Sequence, residues 1–319
     1  MAIHCATPAM AYKPWPSATP STRRRARVPP KQFSERNQRI MNLSLSARIA
    51  ELEHVKDQPA VGFEELARLA SEIGYEALCI RSAQVTLDTP DDDIEQARQL
   101  LDHYGLQASM VCPGPGVSAN TADSGQALRN IGRHLDVTEL LGSKLLRVSV
   151  MRKDDVIWAQ RAADQARERG IRLVQMTHTE CPFETVDDCL EMLTRIDRPD
   201  DFGLCVEPAN LLVCGDDYGP DALRRISPHI FNVYVQNVRV DETGSSSVVT
   251  NAGIVRYQRL IVGEETPEAQ AGVDFDRFFE GLQSIQYAGF VTCHQPLVEG
   301  TSVSELAQFV YDRLTRSLG

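Results

Sequence analysis

Gly170-Ile171-Arg172-Leu173-Val174-Gln175-Met176-Thr177-His178 opens on a glycine suited to ending a helix and continues as a β-rich apolar run. A stretch of helical period over residues 184–196 follows, and then a second apolar run, Phe202-Gly203-Leu204-Cys205-Val206-Glu207-Pro208-Ala209-Asn210. Two such runs joined by a helix form a βαβ unit, the building block of a parallel sheet.

The same rhythm extends in both directions. Strand expectations fall at residues 42–46, 75–81, 107–112, 144–150, 172–178, 202–207, 230–236 and 289–294. Helices are expected at 62–73, 91–104, 124–141, 154–169, 184–196, 220–226, 274–285 and 302–318. The first helix sets Phe63, Leu66, Ala67, Ala70 and Ile73 on one stripe, with Gly74 at its C-terminal cap. Gly105, Gly142 and Gly170 repeat that punctuation. Strict alternation of eight strands and eight helices over about 280 residues has the size of a closed (β/α)8 TIM barrel of the α/β class. An open doubly wound sheet is the rival, but no GxGxxG follows the first strand and no GxxxxGK[ST] occurs anywhere. The barrel is expected to occupy residues 41–319.

Residues 1–40 read differently. They hold six of the seventeen prolines and eight Lys and Arg against Glu35 alone, including Arg23, Arg24, Arg25 and Arg27, with neither helical nor strand period. A disordered basic extension is expected there, either an organelle transit peptide or a leader ahead of a start at Met41. Of the net charge of −11, this segment carries +7 and the remainder −18. A body of that sign repels phosphate backbones, so nucleic acid is excluded as a partner. Cys79, Cys112, Cys205 and Cys293 sit in apolar runs and read as reduced core residues, which points to the cytoplasm, or to an organelle if the leader is a transit peptide. No apolar run approaches the roughly 20 residues of a membrane span.

Barrel strands alternate between helix-facing and axis-facing side chains, and sites lie at their C-terminal ends. Strand seven shows the pattern, with Phe231, Val233 and Val235 outward and Asn232, Tyr234 and Gln236 inward. By the same alternation Arg81, Arg147, Ser149, Cys205, Glu207, Thr292 and His294 turn inward, joined by His178 at the end of strand five. Gln175 turns outward by alternation with Leu173, or inward if the strand is irregular. The segment 238–272 is too long for an ordinary βα loop. It contains a hairpin expectation, 248–250 with 254–262 around Asn251-Ala252-Gly253, of the kind that lids a site. The Gly- and Pro-rich loop 114–123 is a smaller candidate of the same kind.

Four segments resemble the xylose-isomerase-like barrels. Residues 170–178 are similar to that family's G-I-x-L-x-L-E-x-H, 202–210 to x-G-L-x-x-D-x-x-H, Ile230-Phe231-Asn232-Val233-Tyr234-Val235-Gln236-Asn237 to I-x-x-V-H-V-K-D, and Gly289-Phe290-Val291-Thr292-Cys293-His294 to G-x-V-x-x-E. The resemblance implies a sugar, keto-sugar or cyclitol isomerase, epimerase or related lyase acting on a small polyhydroxylated substrate. In such barrels Glu, Asp, His and Glu at the ends of strands five to eight hold a divalent metal; the matching residues here are Met176, Glu207, Tyr234 and His294. Two arrangements follow. Either Glu207 and His294, with His178 or Gln236, bind Mn, Mg or Zn, or no metal binds and Glu207 is the base. In the second case His178 or His294 is its proton partner and Arg147 polarises the carbonyl. Arg81, Arg147, Gln175, Asn210, Gln236 and Asn237 are the substrate-binding candidates. Two rival readings are a catalytically inactive barrel that binds a sugar-like ligand or a protein, and a DNA-repair endonuclease, which the −18 body and the missing His- and Asp-rich ligand set oppose. A homo-oligomer is compatible with everything above.

Overall fold

A computed structural model describes residues 41–52, 55–264 and 271–318. The expectation for residues 1–40 falls outside this range. Eight parallel strands, β1 (Asn42–Ser46), β2 (Ala77–Arg81), β3 (Gln107–Cys112), β4 (Leu145–Val148), β5 (Arg172–Met176), β6 (Phe202–Val206), β7 (Ile230–Val235) and β8 (Phe290–Cys293), close into a barrel in sequence order. Closure is made by β1, which pairs Ser44 with Ala77 of β2 and Asn42 with Phe290 of β8. The principal helices are α1 (Phe63–Ile73), α2 (Asp91–Tyr104), α3 (Ile131–Leu140), α4 (Val156–Glu168), α5 (Val186–Ile196), α6 (Pro220–Ile226), α7 (Phe275–Ser284) and α8 (Val303–Leu318).

Local chemistry explains several boundaries. Thr185 and Asp274 accept the N–H groups of Asp188 and Arg277 at the starts of α5 and α7, and α1 stops where Gly74 takes φ +117°. Expected helix three is broken: Gln126–Arg129 and α3 are separate, because Asn130 leaves helical geometry at φ −125°, ψ 46°. Loop 114–123 holds a short helix, Pro115–Ala119, ended by Asn120 in the left-handed region at φ +55°.

The barrel divides its apolar residues in two. Leu146, Val148, Leu173, Leu204, Val206, Val233 and Val235 join the large layer between strands and helices, while Cys79, Met110, Leu145, Val174, Met176, Cys205 and Tyr234 fill the axis. Phe231 corrects the alternation expected for strand seven. It packs on the axial cluster, because the β6–β7 register passes from Leu204↔Ile230 to Cys205↔Asn232 and skips it. The Arg172 guanidinium covers its ring at 4.3 Å.

Above the barrel mouth, Asn237–Val240, Ser246–Thr250 and Gly253–Leu260 form an antiparallel three-stranded sheet in the segment expected to carry a hairpin. The expected arms are shifted, and the third strand, 237–240, was not foreseen. Side chains tether this roof. Glu184 accepts the N–H groups of Glu180 and Asn251 at 2.8 and 2.7 Å, and Gln295 accepts that of Val262 at 3.0 Å.

The bulge at Phe231 makes Gly203 a close-approach position. A Cβ there would lie 2.6 Å from the His229 carbonyl oxygen and 2.7 Å from the Phe231 ring, atoms with no room to yield. Gly203→Ala is expected to cost about 1–3 kcal/mol of stability, measured as a lowered midpoint in denaturant with an unchanged slope.

Candidate active site

The strand ends and the roof enclose a cavity of about 90 Å³, several times the 10–15 Å³ or so a single water needs. Met176, His178, Glu207, Asn210, Gln236 and His294 line it from β5 to β8 and the turns after them, and Arg147 from β4. Ser118 and Asn120 enter from the loop after β3, Arg48 from the 3-10 turn Ala47–Ala50 after β1, and Val238, Val248, Tyr257 and Arg259 from the roof. The sequence reading therefore brings together Arg147, His178, Glu207, Asn210, Gln236 and His294.

Glu207 is the centre of this arrangement. It is fully buried at the end of β6, its backbone N–H donating to Thr177 Oγ1 at 2.9 Å. Asn210 Nδ2 donates to Oε2 at 3.2 Å and to the Thr177 carbonyl at 2.8 Å, which fixes the carboxyl's orientation, while Oε1 has no hydrogen-bond partner. Burial pushes the carboxyl up to about 7, and the Arg48, Arg147 and Arg259 guanidiniums and the Gln236 amide pull it only part of the way back.

The two histidines are held differently. His178 Nδ1 lies 2.8 Å from the Thr179 carbonyl oxygen, so in the neutral ring Nδ1 carries the proton and Nε2 is the acceptor nitrogen. His294 is 4% exposed, has Nδ1 3.1 Å from Ser46 Oγ, and stacks on Tyr234 with centroids 3.9 Å apart. The Tyr234 hydroxyl points down the barrel to Cys79 Sγ at 3.1 Å.

Three candidates stand outside the cavity lining. Gln175 follows strict alternation and turns outward, accepting the Val150 N–H at 2.7 Å and donating to the Met176 carbonyl at 2.8 Å. Arg81 is wholly buried on the axis, where its Nε is ion-paired to Glu51 and its Nη2 donates to the Ser118 carbonyl at 3.0 Å. Asn237 accepts the Val273 N–H at 2.9 Å and donates to the Ile261 carbonyl at 3.4 Å, pinning the ends of the roof segment. These geometries place all three residues in supporting positions outside the cavity lining.

Arg48, Glu51, Asn120 and Arg259 were missed. Arg48 and Glu51 lie just past β1, in Ala47-Arg48-Ile49-Ala50-Glu51, where the strand period has ended and nothing in the spacing marks an inward side chain. Arg259 belongs to the roof strand whose register the sequence did not define, though its alternation with Tyr257 was a usable signal.

This donor set does not fit the divalent-metal centre that the resemblance implies. Among the described residues no group of three or more His, Cys, Asp and Glu could hold a metal ion. Glu207, His178, Gln236 and His294 share the cavity, but they bring a single carboxylate and face the Arg48, Arg147 and Arg259 side chains. Hard divalent cations select clustered anionic oxygens and are repelled by such neighbours. Met176 is a soft donor, and the Tyr234 hydroxyl is committed to Cys79.

Comparison with known proteins bears on the lineage. No curated protein matches the sequence. Solved structures with the same fold include a D-psicose 3-epimerase determined in the presence of D-fructose (13% identity, TM-score 0.64, covering 87% of this chain and 98% of that one). A D-allulose 3-epimerase from Methylomonas sp. in complex with D-allulose aligns with 16% identity and a TM-score of 0.61 over 87% and 97% of the two chains. A protein from Bacillus anthracis described as a probable 3-DHS dehydratase aligns with 12% identity and a TM-score of 0.61 over 86% and 99%. At these identities the likeness is one of fold. Residues 67–310 match the family described as xylose isomerase-like TIM barrel, more than half of the chain, and the protein belongs to that family.

Proposed function

We propose that this protein is an enzyme of the sugar isomerase and epimerase type, extending to related lyases, that moves a proton from carbon next to a carbonyl with Glu207 as the base. The observation that carries this reading is the Glu207 carboxyl. It is fully buried, lines the cavity, is oriented by Asn210 with its other oxygen unmatched, and is pushed up to about 7, where it exchanges a proton readily at neutral pH. The sugar epimerases and the dehydratase among the structures of the same fold support the substrate type, a small polyhydroxylated carbonyl compound.

Each neighbour has a part in that chemistry. The Arg147 guanidinium faces the cavity and polarises the carbonyl, stabilising the enediolate oxygen as charge builds there. His178, through Nε2, or His294 exchanges the second proton, and Asn210 and Gln236 bind hydroxyl groups. With one carboxylate in the cavity, a proton shift between adjacent carbons or an elimination suits the site better than two-carboxylate epimerisation. The roof sheet excludes water from the enediolate.

Glu207→Gln is expected to lower turnover about 10²–10⁴-fold with the fold retained. The check is deuterium incorporation next to the carbonyl of hydroxy-ketoses and keto acids in D2O, followed by NMR. The rate should rise through pH 7 or so and level off above it. Absence of exchange with every substrate, in a folded protein, would remove the reading.

The same group shapes stability. Its folded value of about 7 lies above the ordinary glutamate value of 4.5, so as pH rises between them the unfolded chain loses a proton that the folded chain keeps. Wild-type stability therefore falls across that window and is flat above it. Glu207→Gln lacks this loss, and its stability relative to wild type should improve by roughly 3 kcal/mol from below pH 4.5 to above pH 7. Parallel stability curves in denaturant would contradict the shifted carboxyl.

A further inference from the structure

A buried guanidinium brings five N–H donors in a fixed plane, and leaving them unmatched is costly. Arg147 is 1% exposed, and its Nη2 is ion-dipole bonded to Asn120 Oδ1, yet its Nε and Nη1 have no hydrogen-bond partner. Arg48 also leaves a buried Nε unmatched, and its Nη1 lies 3.7 Å from a Glu51 carboxylate oxygen. Glu51 is already paired with Arg81, so one carboxylate serves two guanidiniums. Arg259, on the exposed roof strand, adds a further cation and donates to the Tyr257 hydroxyl at 3.2 Å.

Arg48, Arg147 and Arg259 thus outnumber Glu207 three to one in the lining of this cavity, in a chain of formal charge −11. The local sign is opposite to that of the protein. Positive charge concentrated in a low-dielectric pocket, with planar donors left unmatched, is matched by an oxyanion with two or three acceptor oxygens. A neutral sugar would leave the charge uncompensated.

We propose that the pocket takes a substrate bearing an oxyanion, a carboxylate or a phosphate, gripped between Arg48 and Arg147 and closed over by Arg259, and that these guanidiniums supply the positive charge a divalent metal gives in related barrels. This rests on the proton-transfer reading of the same pocket and narrows it to hydroxy-keto acids or sugar phosphates. An enediolate formed beside the bound anion adds a second negative charge, which the excess of cations neutralises without a metal ligand set.

The test is calorimetric titration of the full chain, at low ionic strength with EDTA present, with oxalate, inorganic phosphate and D-fructose as separate probes. Saturable one-to-one binding of oxalate or phosphate is expected, with D-fructose binding more weakly than either. Affinity should fall about tenfold or more in Arg147→Gln and Arg48→Gln. Arg259→Gln, on the exposed roof, keeps the test decisive if a buried variant does not fold, and should weaken the same binding. The better anion identifies the carboxylate or the phosphate class. Failure of both anions to saturate, or equal affinity in wild type and Arg259→Gln together with any folded buried variant, overturns the proposal. Anion binding without deuterium exchange would keep this inference and remove the reaction. Metal-dependent exchange on D-fructose, indifferent to oxalate and phosphate, would keep the reaction and remove this inference.

Discussion

Removing a carboxylate from water at the end of a barrel strand is costly unless charge or hydrogen bonds replace the lost hydration, and Glu207 receives only part of that replacement. Asn210 satisfies one oxygen, and the Arg48, Arg147 and Arg259 guanidiniums line the same cavity. The carboxyl is consequently neither a plain buried acid nor a locked ion-pair member. Its position is enforced by the hydrogen bond that the Glu207 backbone N–H, after β6, donates to the Thr177 hydroxyl on the turn after β5, so the spacing of two adjacent strands sets the geometry of the reacting group.

The same constraint accounts for the departure from the metal-binding pattern of related barrels. Against the four-ligand pattern that the resemblance implies, the strand ends here bring one carboxylate to the cavity, and guanidiniums reach it from β4, from the turn after β1 and from the roof. Arg81 and Glu51, which lie outside the cavity lining, form the buried pair on which Arg48 rests. Removing either partner would strand a charge below the site, an effect of several kcal/mol for buried pairs.

The fold was legible because barrel strands obey a period of two and their helices a period of 3.6, and glycines such as Gly74 and Gly105 mark the joins. Inward placement of Arg147, Cys205, Glu207 and Thr292 followed from that period alone. Phe231 escaped it because an extra residue in one strand resets alternation without leaving a compositional trace. Gln175 shows the reverse, since its polarity suggested the cavity while its position obeyed the period and met the Val150 N–H instead. Arg48 and Arg259 were missed for another reason: both sit on elements outside the barrel period, where facing is decided by tertiary tethers such as Glu184 to Asn251. The metal alternative came from resemblance, and the described residues do not gather a donor set that fits it.

The account turns on the ionisation of one group. Difference infrared titration of wild type against Glu207→Gln follows the carbonyl band of the protonated carboxyl that the variant lacks. A band that persists above the ordinary carboxylate range and disappears near pH 7 is the expected result. A band lost near pH 4.5 or so, as for an exposed glutamate, would contradict the buried, poised base on which the reading of this site depends.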